Sequence, residues 1–168
     1  SDWEPGLQIG ETYTSYLDRV TKQVDIGTPG QTSWDFSALV ASNEFVTESK
    51  PFGTSPYTAD FPGSEYASYY EGTFEGTFSR TWVYNSMGTT YVTHGTGTVA
   101  NSPAGLLTTK IKFTPAWEHY VFPISTGYNH SYTGTQTVTS IVNIPGFGDF
   151  PTVINQGVNI ETVVDAWG

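Results

Sequence analysis

The chain contains no cysteine, which excludes a disulfide framework, a thiolate nucleophile and any thiolate-based metal site. Positive charge is nearly as scarce. Six Lys and Arg stand against 16 Asp and Glu, for a formal net charge of −10. The basic residues never cluster, Lys110 and Lys112 being the tightest pair, and such a surface repels phosphate backbones and anionic lipid. Nucleic acid is therefore not an expected partner. No run approaches the roughly 20 apolar residues of a membrane-spanning helix, so membrane insertion is not expected either. Leucine occurs five times and lysine four, which leaves little material for amphipathic helices.

What is present is β-forming. Threonine occurs 26 times, with 11 Tyr, 10 Phe and five Trp, and branched and aromatic side chains pack well on a pleated surface. Eighteen Gly and 10 Pro supply turns between short elements. A length of 168 residues fits one domain, 1–168, large enough to bury a core without staples. Zero Cys is compatible with the cytosol, but the acidity reads as solubility outside the cell, and Thr, Tyr and Gly richness points to an exported, extracellular protein. The chain starts at Ser1 without Met, and a strand-like run, 158–167, precedes Gly168. This reads as a segment cut from a longer secreted protein.

Period-two alternation dominates. Residues 71–84, which include the tandem Glu-Gly-Thr-Phe, alternate strictly and predict one long half-buried strand. Asn85 to Gly88 reads as a turn and Thr89 to Val99 as its antiparallel partner, placing Trp82 opposite Tyr91 and Phe78 over Gly95. Further strands are expected over 11–24, around Trp34 to Phe36, and over 106–114, 132–144 and 158–167. In the 132–144 run, Thr133, Thr135, Thr137 and Thr139 take one face and Val138, Val142 and Ile144 the other. Residues 37–49 hold the one place for a helical turn; 50–64 and 145–157 read as Gly/Pro loops. The expected fold is all-β: an antiparallel β-sandwich or jelly-roll-like domain of about seven to nine strands with little or no helix.

Chemistry is harder to find. His94, His119 and His130 have no metal-ligand spacing, and no Gly-x-Ser-x-Gly elbow supplies a nucleophile for a base such as His119. His94 reads as a sheet-surface residue on the face of Thr81. Glu71, Glu75, Glu118, Asp149 and Asp165 are carboxylates that glycoside hydrolysis would need in pairs, but Glu71 and Glu75 read as solvated. No catalytic residue, metal ligand set or cofactor is assigned, and an enzyme is not expected; loop calcium held by Asp60 or the 143–149 stretch has no motif behind it. Gly95-Thr96-Gly97 lies inside a strand and opens no helix, so it is not a phosphate loop. Aromatic rings can stack on sugar faces, making Trp117, Tyr120, Tyr128 and Tyr132 the candidate ligand-binding residues. The competing reading is that these rings fill a core short of leucine. Asn129-His130-Ser131 is the glycosylation-type triplet, with Asn129 as acceptor.

Several segments together resemble a known group: Gly-Gln-Thr-Ser-Trp-Asp-Phe-Ser-Ala-Leu (30–39), Pro-Tyr-Thr-Ala-Asp-Phe-Pro (56–62), Val-Phe-Pro-Ile-Ser-Thr-Gly-Tyr (121–128) and Val-Asp-Ala-Trp-Gly (164–168). In this order they are similar to the N-terminal domain of uncharacterised secreted bacterial proteins of the type IX secretion kind, which carry a C-terminal sorting domain. Ser33 departs from the pattern. The resemblance implies export to the cell surface or beyond and brings no activity with it. The function expected is a non-catalytic extracellular module, a surface, matrix or fibre building block that self-associates or binds other surface proteins or glycans. A carbohydrate-binding module is the alternative, and an accessory domain of a secreted hydrolase the third reading.

Overall fold

In the computed structural model, residues 9–17, 43–74, 77–103, 105–124 and 127–164 are described. They form eight strands: β1 (Thr12–Leu17), β2 (Asn43–Pro51), β3 (Tyr66–Phe74), β4 (Thr77–Met87), β5 (Thr90–Ser102), β6 (Gly105–Val121), β7 (Tyr128–Ile144) and β8 (Gly148–Val164). Two short 3-10 turns, Phe52–Thr54 and Thr58–Asp60, are the helical content among the described residues. The all-β antiparallel expectation holds. The strand order, however, runs β1 to β8 without a crossover, so the described residues make one meandering sheet. A jelly roll needs Greek-key crossovers and a sandwich needs a second sheet, and neither is found among these strands.

The alternating run over 71–84 is a hairpin, not one strand. Phe74 pairs with Thr77, and Thr73 with Phe78, so the chain reverses between them. Glu71 thereby comes opposite Arg80, which reaches its carboxylate at 3.3 Å, and the Tyr69 hydroxyl donates to the same carboxylate. The next hairpin also has a different register. Trp82 faces Gly97 and Tyr84 faces Gly95, because the turn falls at Gly88 and Thr89 instead of at 85–88. Residues 43–49 extend in β2, so no helical turn forms there; the expectations for 18–42 lie outside the described residues. The expected loop over 145–157 shrinks to a tight turn at 145–147, with β8 starting at Gly148. Pro151 is tolerated there because β8 is an edge strand, where a missing N–H costs no ladder bond to a second neighbour.

The core lies on one face. Register aligns Tyr69, Trp82, Gly97 and Lys110 across the sheet, and likewise Ala67, Tyr84, Gly95 and Lys112. The 52–64 loop lies over this glycine gap. Phe61, 1 % exposed, stacks on Tyr84 at 4.4 Å between centroids, Phe52 meets Tyr84 edge-on at 6.2 Å, and Tyr57 meets Trp82 at 6.3 Å. A side chain at Gly95 would sit 2.3 Å from Phe61, and one at Gly97 2.5 Å from Tyr57. Aromatic cover of glycine is thus present, but the ring over Gly95 is Phe61 from the loop, not Phe78 from the neighbouring strand. The Lys110–Asp60 bridge, 2.8 Å, ties the same loop to β6.

Candidate functional site

The opposite face of the sheet carries the polar and aromatic groups. Tyr66, Asn85, Thr93 and Trp117 align by register there, because Asn85 follows inward-facing Tyr84 and points the other way. Asn85 is fully buried. Its Nδ2 donates to Ser68 Oγ (3.2 Å) and the Val83 carbonyl (3.1 Å), which leaves Oδ1 to accept from Thr93 Oγ1 at 2.8 Å. Thr93 has one hydroxyl proton and gives it to Asn85, so His119 Nε2, 2.8 Å away, must be the donor in the second contact. This assigns the Nε2–H tautomer and rules out His119 as the base that would activate Thr93. Burial lowers the His119 pKa from 6.5 to about 4, so the ring is neutral near pH 7.

Two of the three histidines sit at bulges. Register skips His94 between Thr93 and Gly95, and skips His119 between Glu118 and Tyr120. A bulge re-aims the side chain it frees. His94 turns to the loop-covered face, not to that of Thr81: its Nε2 lies 2.9 Å from Ser86 Oγ and its ring packs beside Gly63. Burial lowers its pKa too. With Asp60, Pro62, Lys112 and Pro115 it lines a cavity of about 200 Å³ at the edge of the loop. That is below the roughly 300–1,000 Å³ of ordinary small-molecule sites.

The four candidate aromatics are placed as follows. Trp117 stacks on His119, with 3.8 Å between centroids, and meets Phe113 edge-on at 5.5 Å. Tyr132 is 5 % exposed, donates its hydroxyl to the Pro115 carbonyl at 2.7 Å and lies over Gly134. Tyr128 accepts the Val121 N–H at 2.8 Å and stacks near His130. Tyr120 is half-buried, 6.2 Å from His119. The structure therefore brings Trp117 and Tyr132 into one packed cluster (6.5 Å between rings), more a small core than a platform of free ring faces. Bulge geometry is the feature that local sequence does not signal: it kinks the strand through the Trp-Glu-His-Tyr patch and packs Trp117 on His119. Asn129 is exposed on β7 and donates to Glu161 at 3.0 Å. Asp60 is engaged by Lys110 and Asp149 by Asn143 (2.6 Å), and no group of three His, Asp or Glu side chains gathers among the described residues.

The other candidate feature is an edge. β8 is 17 residues long, borders β7 over its whole length without a register break, and has no strand on its outer side among the described residues. Val153 and Ile154, neighbours facing opposite ways, are 59 % and 53 % exposed, so both faces of the strand are open. Phe147 at the hairpin tip is 80 % exposed and Phe150 50 %. The strand has no Lys or Arg, one of the usual means of blunting an edge. No helix among the described residues is long and apolar enough to cross a membrane. Compared with protein-family models, curated proteins and solved structures, the chain matches none.

Proposed function

We propose that the chain is a non-catalytic extracellular β-module, a surface, matrix or fibre building block that works through its edge strand. The observation that carries this is β8, with 17 residues paired to β7 on one side and no strand on the other among the described residues. Strand addition to such an edge gives affinity from main-chain hydrogen bonds alone, with side chains at alternate positions supplying selectivity. Export is supported by the −10 charge and the Thr- and Tyr-rich composition. The carbohydrate-binding alternative has weaker support, because Tyr132 is buried and one face of Trp117 is taken by His119. Size-exclusion with light scattering over a concentration series tests the reading, beside a glycan array. Mass rising with concentration is expected. A chain monomeric throughout that binds a glycan, and loses it on Trp117→Ala, would transfer the function to the aromatic cluster.

A further inference from the structure

The two edges of the sheet differ in length among the described residues: β1 has six residues and β8 has 17. A head-to-tail contact between β8 of one copy and the described β1 of the next would set six strand residues against 17. Pairing β8 with itself has no such mismatch. Antiparallel strands related by a two-fold axis are self-complementary, which is the commonest symmetry of soluble oligomers. We infer that β8 pairs antiparallel with β8 of a second copy, about a two-fold axis at Gln156, joining two eight-stranded sheets into one. This rests on the edge-strand reading above and names its occupant.

The register follows from the strand's midpoint. With the axis at Gln156, Val153 faces Asn159 of the partner subunit, Ile154 faces Val158 of the partner subunit and Phe150 faces Thr162 of the partner subunit. Exposed apolar side chains at Phe150, Val153, Ile154 and Val163 are then all flanked by a cross-strand neighbour. About half of the β8 backbone donors and acceptors point away from β7 and find partners in this arrangement. The regular β7–β8 ladder presents an even edge, whereas β5 and β6 are broken by bulges. Pro151 removes one donor opposite Glu161 of the partner subunit and leaves the central span 152–160 clear. The only carboxylates on β8 are Asp149 and Glu161, and this register sets neither directly opposite a carboxylate. They come two positions apart diagonally, on two copies each carrying −10, so added salt strengthens the pairing.

A chain without cysteine allows a direct test by disulfide scanning. Asn155→Cys, Gln156→Cys and Gly157→Cys are oxidised in the folded protein beside Phe150→Cys and, on β1, Thr14→Cys. All five positions are exposed. The expected result is a covalent dimer whose yield peaks at Gln156→Cys, with a rate about a hundredfold or more above that of Thr14→Cys, since pairing raises the local thiol concentration to the millimolar range. A peak at Phe150→Cys would overturn full-length pairing. Cross-linking that requires mixing Thr14→Cys with Gln156→Cys would replace the two-fold dimer by a head-to-tail array. Dimers seen by light scattering with no β8 cross-link would defeat this inference and leave the edge-strand module in place only if another edge is mapped. A monomer at every concentration would defeat both.

Discussion

The two halves of the sheet are built in opposite ways. From β2 to β5 a loop closes over one face, and nearly every buried side chain among the described residues belongs to this half: Phe61, Ala67 and Tyr84 on the covered face, and Thr47, Ser49, Thr81, Asn85, Thr93 and Ala100 on the other. From β6 to β8 the strands are longest, yet Tyr132 is the one buried side chain among the described residues, while Leu106, Phe150, Val153, Ile154 and Val163 remain 44–59 % exposed. Cross-strand polar pairs replace burial in that half: Thr109 with Ser140 at 3.2 Å, Thr137 with Asn155 at 2.7 Å, Asn143 with Asp149 at 2.6 Å. Such pairs contribute roughly 0.2–1 kcal/mol each, whereas burying one large side chain contributes about 1.5–3 kcal/mol. One half therefore holds the fold, and the other ends in a long edge strand with little burial.

The sharpest way to break the comparison is to uncover the closed half. Phe61→Ala removes the ring that stacks on Tyr84 and fills the gap over Gly95, and should cost about 3–5 kcal/mol in urea unfolding. A loss below 1 kcal/mol would mean that the loop is not the core's cover. Next is Thr93→Val, which leaves the Asn85 Oδ1 and the His119 N–H without their partner in a buried site. It should cost about 1–3 kcal/mol, and the double variant Thr93→Val with Asn85→Leu should recover part of that.

A pH titration comes third. Folded His119 takes up a proton only near pH 4, against 6.5 for the free ring, so the unfolded state binds more protons in between. The associated stability is fully present above about pH 6.5 and is lost as pH falls toward 4. His94 shifts the same way. Thermal melts of His119→Gln should show a flatter fall over that window than the parent chain; an unchanged slope would place the buried proton site elsewhere. The smallest effect belongs to the open half. Val153→Ala should stay within about 0.5 kcal/mol at concentrations where the chain is monomeric.

Much of this architecture can be read from residue order, and the failures have physical causes. Alternation over 132–144 places Thr133 and Thr135 opposite in sense to Val138 and Val142, as β7 does. The Glu-Gly-Thr-Phe tandem misleads because alternation is blind to direction. When the chain reverses between Phe74 and Thr77, odd positions on β3 share a face with even positions on β4, and the pattern reads on unbroken. Glu75-Gly76 is not one of the Asn-Gly or Asp-Gly pairs that mark a two-residue hairpin, so the reversal carries no strong local signal. Gly and Pro over 145–157 suggested a loop, yet an edge strand accepts both, since neither need serve a second neighbour. Aromatic cover of Gly95 was legible as a requirement; that the ring comes from Phe61 depends on a loop folding back across the sheet, which no local pattern encodes. The 117–132 rings look alike in sequence, and only the bulge at His119 and the Tyr132–Pro115 bond separate packed rings from free ones.

Amide hydrogen exchange followed along the sheet at two protein concentrations tests the division most directly. Stability differs between regions in proportion to their buried contacts, and exchange reports it residue by residue. In dilute solution β4 and β5 should exchange slowest and β8 fastest, and at high concentration alternate amides of β8 alone should gain protection. Amides of β8 already as protected as those of β4 in the dilute sample, with no change on concentration, would contradict a closed half that holds the fold and an open edge that waits for a partner.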